Sequence, residues 1–450
     1  MKGLRSAVPL LLVLLLAGLA VLFWLPGPPS HRPEPTPPGV APPAPSVEAP
    51  APEPPPPETD ASARPVLSDL APTPPWSSLN RWQSTMTRSA FRNRLDSVFA
   101  VSDAWREWFH FGEEDVRIDT ESPGENFRLR FAERPSAAAP REWRTASDLG
   151  PAPEGQPLSG LRIAIDPGHI GGRWARIEER WFQMGEGFPV AEGDMTLLVA
   201  MLLQPRLEAL GAEVMLVRDS TEPVTDYRPE DLIPTLSDGS AETPRQLAER
   251  LFYRTAEIRA RAEKVNRSIR PDLVVCLHFN AEAWGDPRRP TLVDRHHFHL
   301  ILNGAYMDGE LALADQRFEL TRRIVSGTHD EEVRLAEAVA AAFVESTGLP
   351  PYLYQTNSKR AVNVAGNPYL WARNLLANRL YHCPVVFLEP YVMNSVEDYA
   401  RIQAGDYEGL REVHGEPRPS IFREYADAVA EGLSRYYGDA RPGAVPEGDE

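Results

Sequence analysis

From Leu158 to about Gly438 the chain alternates short apolar runs with longer helical stretches, and this alternation constrains the fold more than any other feature. Arg162-Ile163-Ala164-Ile165, Val214-Met215-Leu216-Val217, Leu273-Val274-Val275-Cys276-Leu277 and Val385-Val386-Phe387-Leu388 are too uniformly apolar to leave one face in water. Met195 to Leu210 reads as a largely apolar helix closed by Gly211. Pro205 inside it predicts a kink or a break. A second helix is expected from about Glu242 to Ser268, and a closing one from Ile421 to Tyr437. Strands buried on both sides need helices on both sides. The expected fold is therefore α/β over residues 157–438: a three-layer twisted mixed sheet with helices on both faces, plus a small N-terminal accessory segment.

The rest of the chain divides by composition. Lys2 and Arg5 precede an unbroken apolar run from Ala7 to Leu25. About 19 residues at ~1.5 Å each match roughly the hydrocarbon thickness of a bilayer. The exit Phe23-Trp24-Leu25-Pro26 has no small-x-small cleavage site, so residues 1–25 are expected to stay as a membrane anchor, with a cleaved signal peptide as the alternative. Residues 26–75, dominated by Pro, Ala and Glu, cannot bury apolar area and read as an extended linker. Residues 76–156 read as an accessory α+β segment. Within it Phe91 to Phe109 has helical spacing, and Val116-Arg117-Ile118 and Phe127 to Phe131 alternate as strands do. Residues 439–450 read as a loose tail.

Charge and cysteine content exclude two classes. A net charge of −17 argues against a nucleic-acid partner, since phosphate binding needs clustered Lys and Arg. Two cysteines, Cys276 and Cys383, make no disulfide framework and read as buried thiols.

The chemistry lies where apolar strands end. Ile163-Ala164-Ile165 runs into Asp166-Pro167-Gly168-His169-Ile170-Gly171-Gly172. Leu273 to Leu277 runs into His278-Phe279-Asn280-Ala281, and Val385 to Leu388 runs into Glu389. The carboxyl ends of strands in an open α/β sheet are where sites form. Glu192 stands just ahead of the helix that begins near Asp194. Two histidines and one glutamate leave a fourth coordination position open, which suits one catalytic Zn(2+) per chain, with Glu389 left as general base. Singly these residues say little, because a histidine at a strand end is more often a hydrogen-bonded structural residue.

Taken together, Ile163 to Gly172, Glu192 to Ala200 and Leu277 to Ala281 resemble the zinc-dependent N-acetylmuramoyl-L-alanine amidases of the amidase 3 type. The matching stretches read DPGHIGG, EGDMTLLVA, LHFNA and FLE. Leu210 to Arg218, Arg261 with Val265-Asn266, and Asn394 are similar to intervening elements of that family, so the resemblance spans roughly Leu158 to Tyr437. It implies that His169, Glu192 and His278 are zinc ligands and that Glu389 is the catalytic glutamate. It also implies hydrolysis of the amide between N-acetylmuramic acid and L-alanine in peptidoglycan. Combined with the apolar run, it implies an inner-membrane-anchored cell-envelope enzyme whose catalytic domain faces the periplasm or extracytoplasmic space. Two other readings stay open: a non-catalytic peptidoglycan-binding or regulatory protein, and another zinc peptidase or deacetylase of the cell wall. The need for an activator protein is also left open.

Other polar groups have two readings each. Asn280 is a candidate substrate contact or a turn stabiliser, and Asp166 a partner for a ligand histidine or a turn-former. The 22 residues between His169 and Glu192 are more than a compact member of the family has. Trp174, Trp181, Phe182 and Phe188 in that loop are candidates for a glycan-facing wall or for packing. In the cluster His296, His297 and His299, the last two share a strand face, but no third convergent ligand for a second metal is evident. Tyr352, Tyr354 and Trp371 are candidate substrate contacts or ordinary aromatics.

Overall fold

The computed structural model describes residues 66–135, 139–233, 243–355 and 360–442. The chain divides into Met1–Arg64 and Pro65–Glu450, and all described residues fall in the second unit. The expected anchor (1–25) and most of the linker and tail lie outside the described residues.

No helix among the described residues is long and apolar enough to cross a membrane. The longest, Thr328–Thr347 and Ile421–Ala440, carry several acidic residues each, together with Arg334 in the first and Arg423 and Arg435 in the second. The inner-membrane placement is therefore unsupported.

The accessory residues supply strands β1 (Phe109–Phe111), β2 (Asp115–Asp119) and β3 (Asn126–Arg130), paired antiparallel in that order. The stretch Phe91 to Phe109 is not one helix. It breaks into the helix Arg88–Arg94, a π turn Leu95–Phe99, a 3₁₀ turn Asp103–Glu107 and the start of β1. Phe91, Leu95, Trp105, Val116 and Leu129 are buried in the same cluster as the main domain's core. The backbone N–H groups of Ala305 and Tyr306 donate to the carbonyls of Val98 and Phe99. The segment is thus built into the larger core.

The central sheet comprises β4 (Arg162–Pro167), β7 (Glu213–Leu216), β8 (Leu273–Leu277), β9 (Phe298–Leu302), β10 (Val362–Asn363), β11 (Leu370–Ala372) and β12 (Val385–Pro390), in the order β10-β11-β9-β12-β8-β4-β7. β12, β8, β4 and β7 run parallel; β9 is antiparallel to β12, so the sheet is mixed. A separate pair, β5 (Trp181–Phe182) and β6 (Val190–Ala191), sits in the loop before Glu192.

Helices cover both faces. Helix α1 (Glu192–Ala209) and the helices Thr328–Thr347 and Ile421–Ala440 pack on Ile163, Ile165, Val275, Leu300 and Leu388. On the other face, Ala262, Val265 and Ile269 pack on Ala164, Val274, Cys276 and Phe387. They belong to the expected second helix, which runs from Pro244 to Ile269 with two π turns. Both cysteines are free and buried. Helix α1 starts at Glu192 and continues through Pro205 as one element. Proline there deprives the carbonyl of Met201 of its donor, and Met201 is 58% exposed, so the lost bond falls on the solvent-facing side of the helix.

Candidate active site

The strand alternation places the chemistry on one face. On β12, Val385 and Phe387 sit on the second core face and Val386 and Leu388 on the first. Period two then carries Glu389 to the same side as Phe387. On β8 the same rule carries His278 past Cys276, and its ring stacks on Phe387 at 4.5 Å and 13°. β4 is the adjacent parallel strand, so its terminal turn brings His169 alongside, with ring centroids 5.3 Å apart.

Three ligand atoms, one each from His169, Glu192 and His278, lie within 4.8 Å of one another. His169 Nε2 is 3.2 Å from Glu192 Oε2, and His278 Nδ1 is 3.1 Å from Glu192 Oε1. Glu192 is 2% exposed, sits in the first turn of α1, and accepts from the backbone N–H of Phe279 at 3.1 Å. A carboxylate is favoured at a helix N-terminus. Burial raises its pKa, but His169, His278 and Arg180 outweigh that and hold it at about 2. A buried, ionised carboxylate between two imidazoles is the donor set that fits a divalent cation such as zinc.

Tight packing holds this geometry. A side chain on Gly168 would meet the His278 ring at 2.3 Å, and one on Gly193 would meet the Gly171 nitrogen at 2.3 Å. His169 adopts φ +59°, a left-handed backbone uncommon outside glycine and often found at functional sites. Two buried guanidiniums fix that turn. Arg218 Nε donates to the His169 carbonyl at 2.7 Å. Arg261 donates to the carbonyls of Pro167 and His169, both at 2.7 Å. Asp166 pairs with Arg261 at 2.9 Å and accepts from the Tyr381 hydroxyl, so it anchors the clamp and does not touch a ligand histidine.

The long loop after His169 supplies two residues that the sequence reading missed. Glu178, 2% exposed, accepts from the backbone N–H groups of Ile170 (2.8 Å) and Gly171 (2.9 Å) and lies 3.6 Å from His169 Nδ1. A proton on Nδ1 facing that carboxylate leaves the Nε2 lone pair for a metal. Arg180 precedes the β5–β6 pair and reaches Glu192 Oε2 at 3.2 Å. The unusual loop length was the available signal.

The pocket, about 470 Å³, is lined by His169, Arg180, Glu192, Asn280, Glu282, Trp284, His299, Tyr352, Tyr354, Arg373 and Glu389 among others. Burial pushes the Glu389 carboxyl up to about 7 against the pull of His278, with Glu192 adding to the rise and Arg180 and Arg373 opposing it. Asn280 lines the pocket while its Oδ1 accepts from the Ala281 N–H at 2.7 Å, so its oxygen is engaged in the turn. Asn394 is buried, accepting from the Glu282 N–H at 3.0 Å and donating to the Thr291 carbonyl at 3.0 Å.

The loop aromatics largely pack. Trp174 lies 4.9 Å from Phe252, and Phe182 lies 5.1 Å from Trp284. Trp181 stacks under Arg176, and Phe188 is exposed. His297 lies 3.7 Å from Glu282 and 4.7 Å from the Tyr352 ring. Among the described residues the His169–Glu192–His278 group alone has metal-binding geometry.

A mixed sheet covered on both faces, with two histidines after parallel strands and a glutamate opening the adjacent helix, defines an α/β protein with a metal-type donor set at its sheet rim. The family model for N-acetylmuramoyl-L-alanine amidase matches residues 163–410, more than half of the chain. The chain belongs to that family, and it is an amidase that hydrolyses peptidoglycan. No curated protein matches it. Among solved structures it is similar to the N-acetylmuramyl-L-alanine amidase of Mycobacterium abscessus, at 19% identity and TM-score 0.35, over 62% of this chain and 99% of that one. It is likewise similar to the Mycobacterium smegmatis amidase, at 17% identity and TM-score 0.35, over 62% and 98%. The N-acetylmuramoyl-L-alanine amidase of Nostoc punctiforme matches at 18% identity and TM-score 0.33, over 62% and 99%.

Proposed function

We propose that this amidase is zinc-dependent, that His169, Glu192 and His278 hold the ion, and that Glu389 is the general base. The observation that carries the reading is the convergence of three ligand atoms within 4.8 Å beside a carboxylate on the adjacent strand end. Bound zinc supplies Lewis-acid polarisation of the scissile carbonyl and makes water acidic near neutral pH.

The chain's own residues do the rest. Glu178 orients His169 through Nδ1, and Arg218 and Arg261 hold the turn that carries it. Phe387 and the bare Cα of Gly168 fix the plane of His278. Glu389, whose side chain has no hydrogen-bond partner among the described residues, takes the proton from the attacking water and delivers it to the departing L-alanyl nitrogen. Asn280 lines the same rim and is the proposed substrate contact from the turn after β8.

The test is digestion of purified peptidoglycan with the products identified by mass. Release of peptides with a free L-alanine amino group, lost on chelation and restored by zinc, supports the reading. Activity that survives complete removal of metal refutes zinc dependence. Cleavage inside the peptide, or release of acetate, would instead point to a peptidase or a deacetylase.

A further inference from the structure

The pocket extends well past the donor set. Beyond Glu389 it crosses β9 and reaches β11, ending at His299, Tyr352, Tyr354 and Arg373. The register explains the alignment. His299 pairs with Glu389 across β12 and β9, and the Arg373 N–H donates to the Leu302 carbonyl at 2.8 Å, just past the end of β11. Leu370 and Ala372 are buried in the first core, so Trp371 and Arg373 fall on the pocket side.

Two cations line the pocket, and they differ in one respect. Arg180 is neutralised by Glu192 at 3.2 Å. Arg373 has no carboxylate within ion-pair distance among the described residues; its guanidinium lies beside the Tyr354 hydroxyl. A second observation falls in the same arm. His299 is 2% exposed, its Nε2 is 3.3 Å from the Tyr354 hydroxyl, and its Nδ1 has no hydrogen-bond partner among the described residues. Its ring is held by Tyr352, stacked at 4.9 Å. Burial, then His297 and Arg373, push its pKa down to about 3, so it is a neutral imidazole. The arm thus holds a partly exposed guanidinium with no carboxylate partner among the described residues, beside a buried imidazole whose Nδ1 is unsatisfied.

The substrate has one charged side. In the scissile amide the lactyl carboxyl of the muramic acid is consumed, so the glycan side is uncharged there. The peptide side ends in at least one carboxylate. β11 lies two strand spacings from β12, on the order of 10 Å. At ~3.3 Å per extended residue that is two to three residues from the cleavage point.

We infer that the β9–β11 arm of the pocket is the peptide subsite, with Arg373 pairing a carboxylate of the stem peptide and His299 holding the Tyr354 hydroxyl beside that guanidinium. The orientation follows: peptide toward β11, glycan toward the Arg180 and Trp284 side. The subsite rests on the amidase reading, but its test does not require turnover.

The probe is a synthetic tripeptide with L-alanine at its amino end and free carboxylates on the two following residues, compared with its fully amidated counterpart. Binding to the purified full chain is measured by calorimetry. The parent should bind the free acid at least about ten-fold more tightly, the worth of one charge-assisted pair. Arg373→Met should bring the free acid down to the affinity of the amide, and Arg373→Lys should keep part of the preference. Equal affinity of the parent for both peptides, binding of neither, or a preference that survives Arg373→Met overturns the assignment. The comparison on the parent stands even where a variant does not fold. A chain that binds as expected but leaves peptidoglycan intact refutes the hydrolytic reading alone. One that cleaves peptidoglycan without discriminating the peptides refutes the subsite alone.

Discussion

Gly168→Ala is the most direct probe of the proposed metal site. The residue ends the β4 turn, and the methyl would sit 2.3 Å from His278 Cε1 and 2.5 Å from both ring nitrogens. Carbon atoms in contact keep about 3.5–4.0 Å, so the ring must move by roughly 1 Å. It cannot retreat freely, because Phe387 stacks on it at 4.5 Å. Metal–ligand distances tolerate only about ±0.2 Å. Overpacking of this kind costs about 1–3 kcal/mol. If most of that falls on the ligand geometry, zinc binding weakens about ten- to hundred-fold, at ~1.4 kcal/mol per decade. Gly168 does not need a left-handed backbone, so alanine introduces no conformational penalty of its own. The assay is competition for zinc against a chromophoric chelator, with circular dichroism as the folding control. A folded Gly168→Ala protein with parental zinc affinity would show that His278 is not held against this turn as a ligand.

Three further outcomes are expected. Glu389→Gln should keep the fold and the zinc while lowering kcat by about 10²–10⁴, measured on purified muropeptides; parental turnover would remove Glu389 as the base. Arg261→Met leaves the buried carboxylates of Asp166 and Glu257 without their cation and should cost about 3–5 kcal/mol in urea unfolding, and a change within error would show that the clamp is dispensable. His329 is 4% exposed, and burial, then Arg94 and Arg323, push its pKa down to about 3 from the ordinary 6.5. The unfolded chain therefore takes up this proton first as the pH falls below about 6.5, and stability is lost there at about 1.4 kcal/mol per pH unit. Relative to the parent, His329→Leu should gain about 2 kcal/mol between pH 7 and pH 5, and no pH dependence in that difference would count against a buried neutral histidine.

Much of this protein can be read residue by residue. Val385 to Leu388 and Leu273 to Leu277 are too apolar to tolerate water on either side, and that local property already demands a sheet covered by two helical layers. Polar residues directly after such a run, or in the turn that closes it, lie at the sheet's rim, which is why His169, His278 and Glu389 stand out as a set. Local reading fails where neighbours compete: Phe91 to Phe109 has helical spacing, yet packing against Ala305 and Tyr306 breaks it into short turns and a strand. Glu178 and Arg180 fall in a loop with no periodicity, and their roles arise when the β5–β6 pair folds that loop back over Glu192. Arg373 and His299 are separated by more than seventy positions from each other. They share a pocket because β9 and β11 lie side by side, beyond β12, in the sheet order. Burial and period are properties of a few consecutive residues, so they survive in the sequence. Lateral strand order depends on contacts between distant segments, and the peptide arm of the pocket exists only once those contacts have formed.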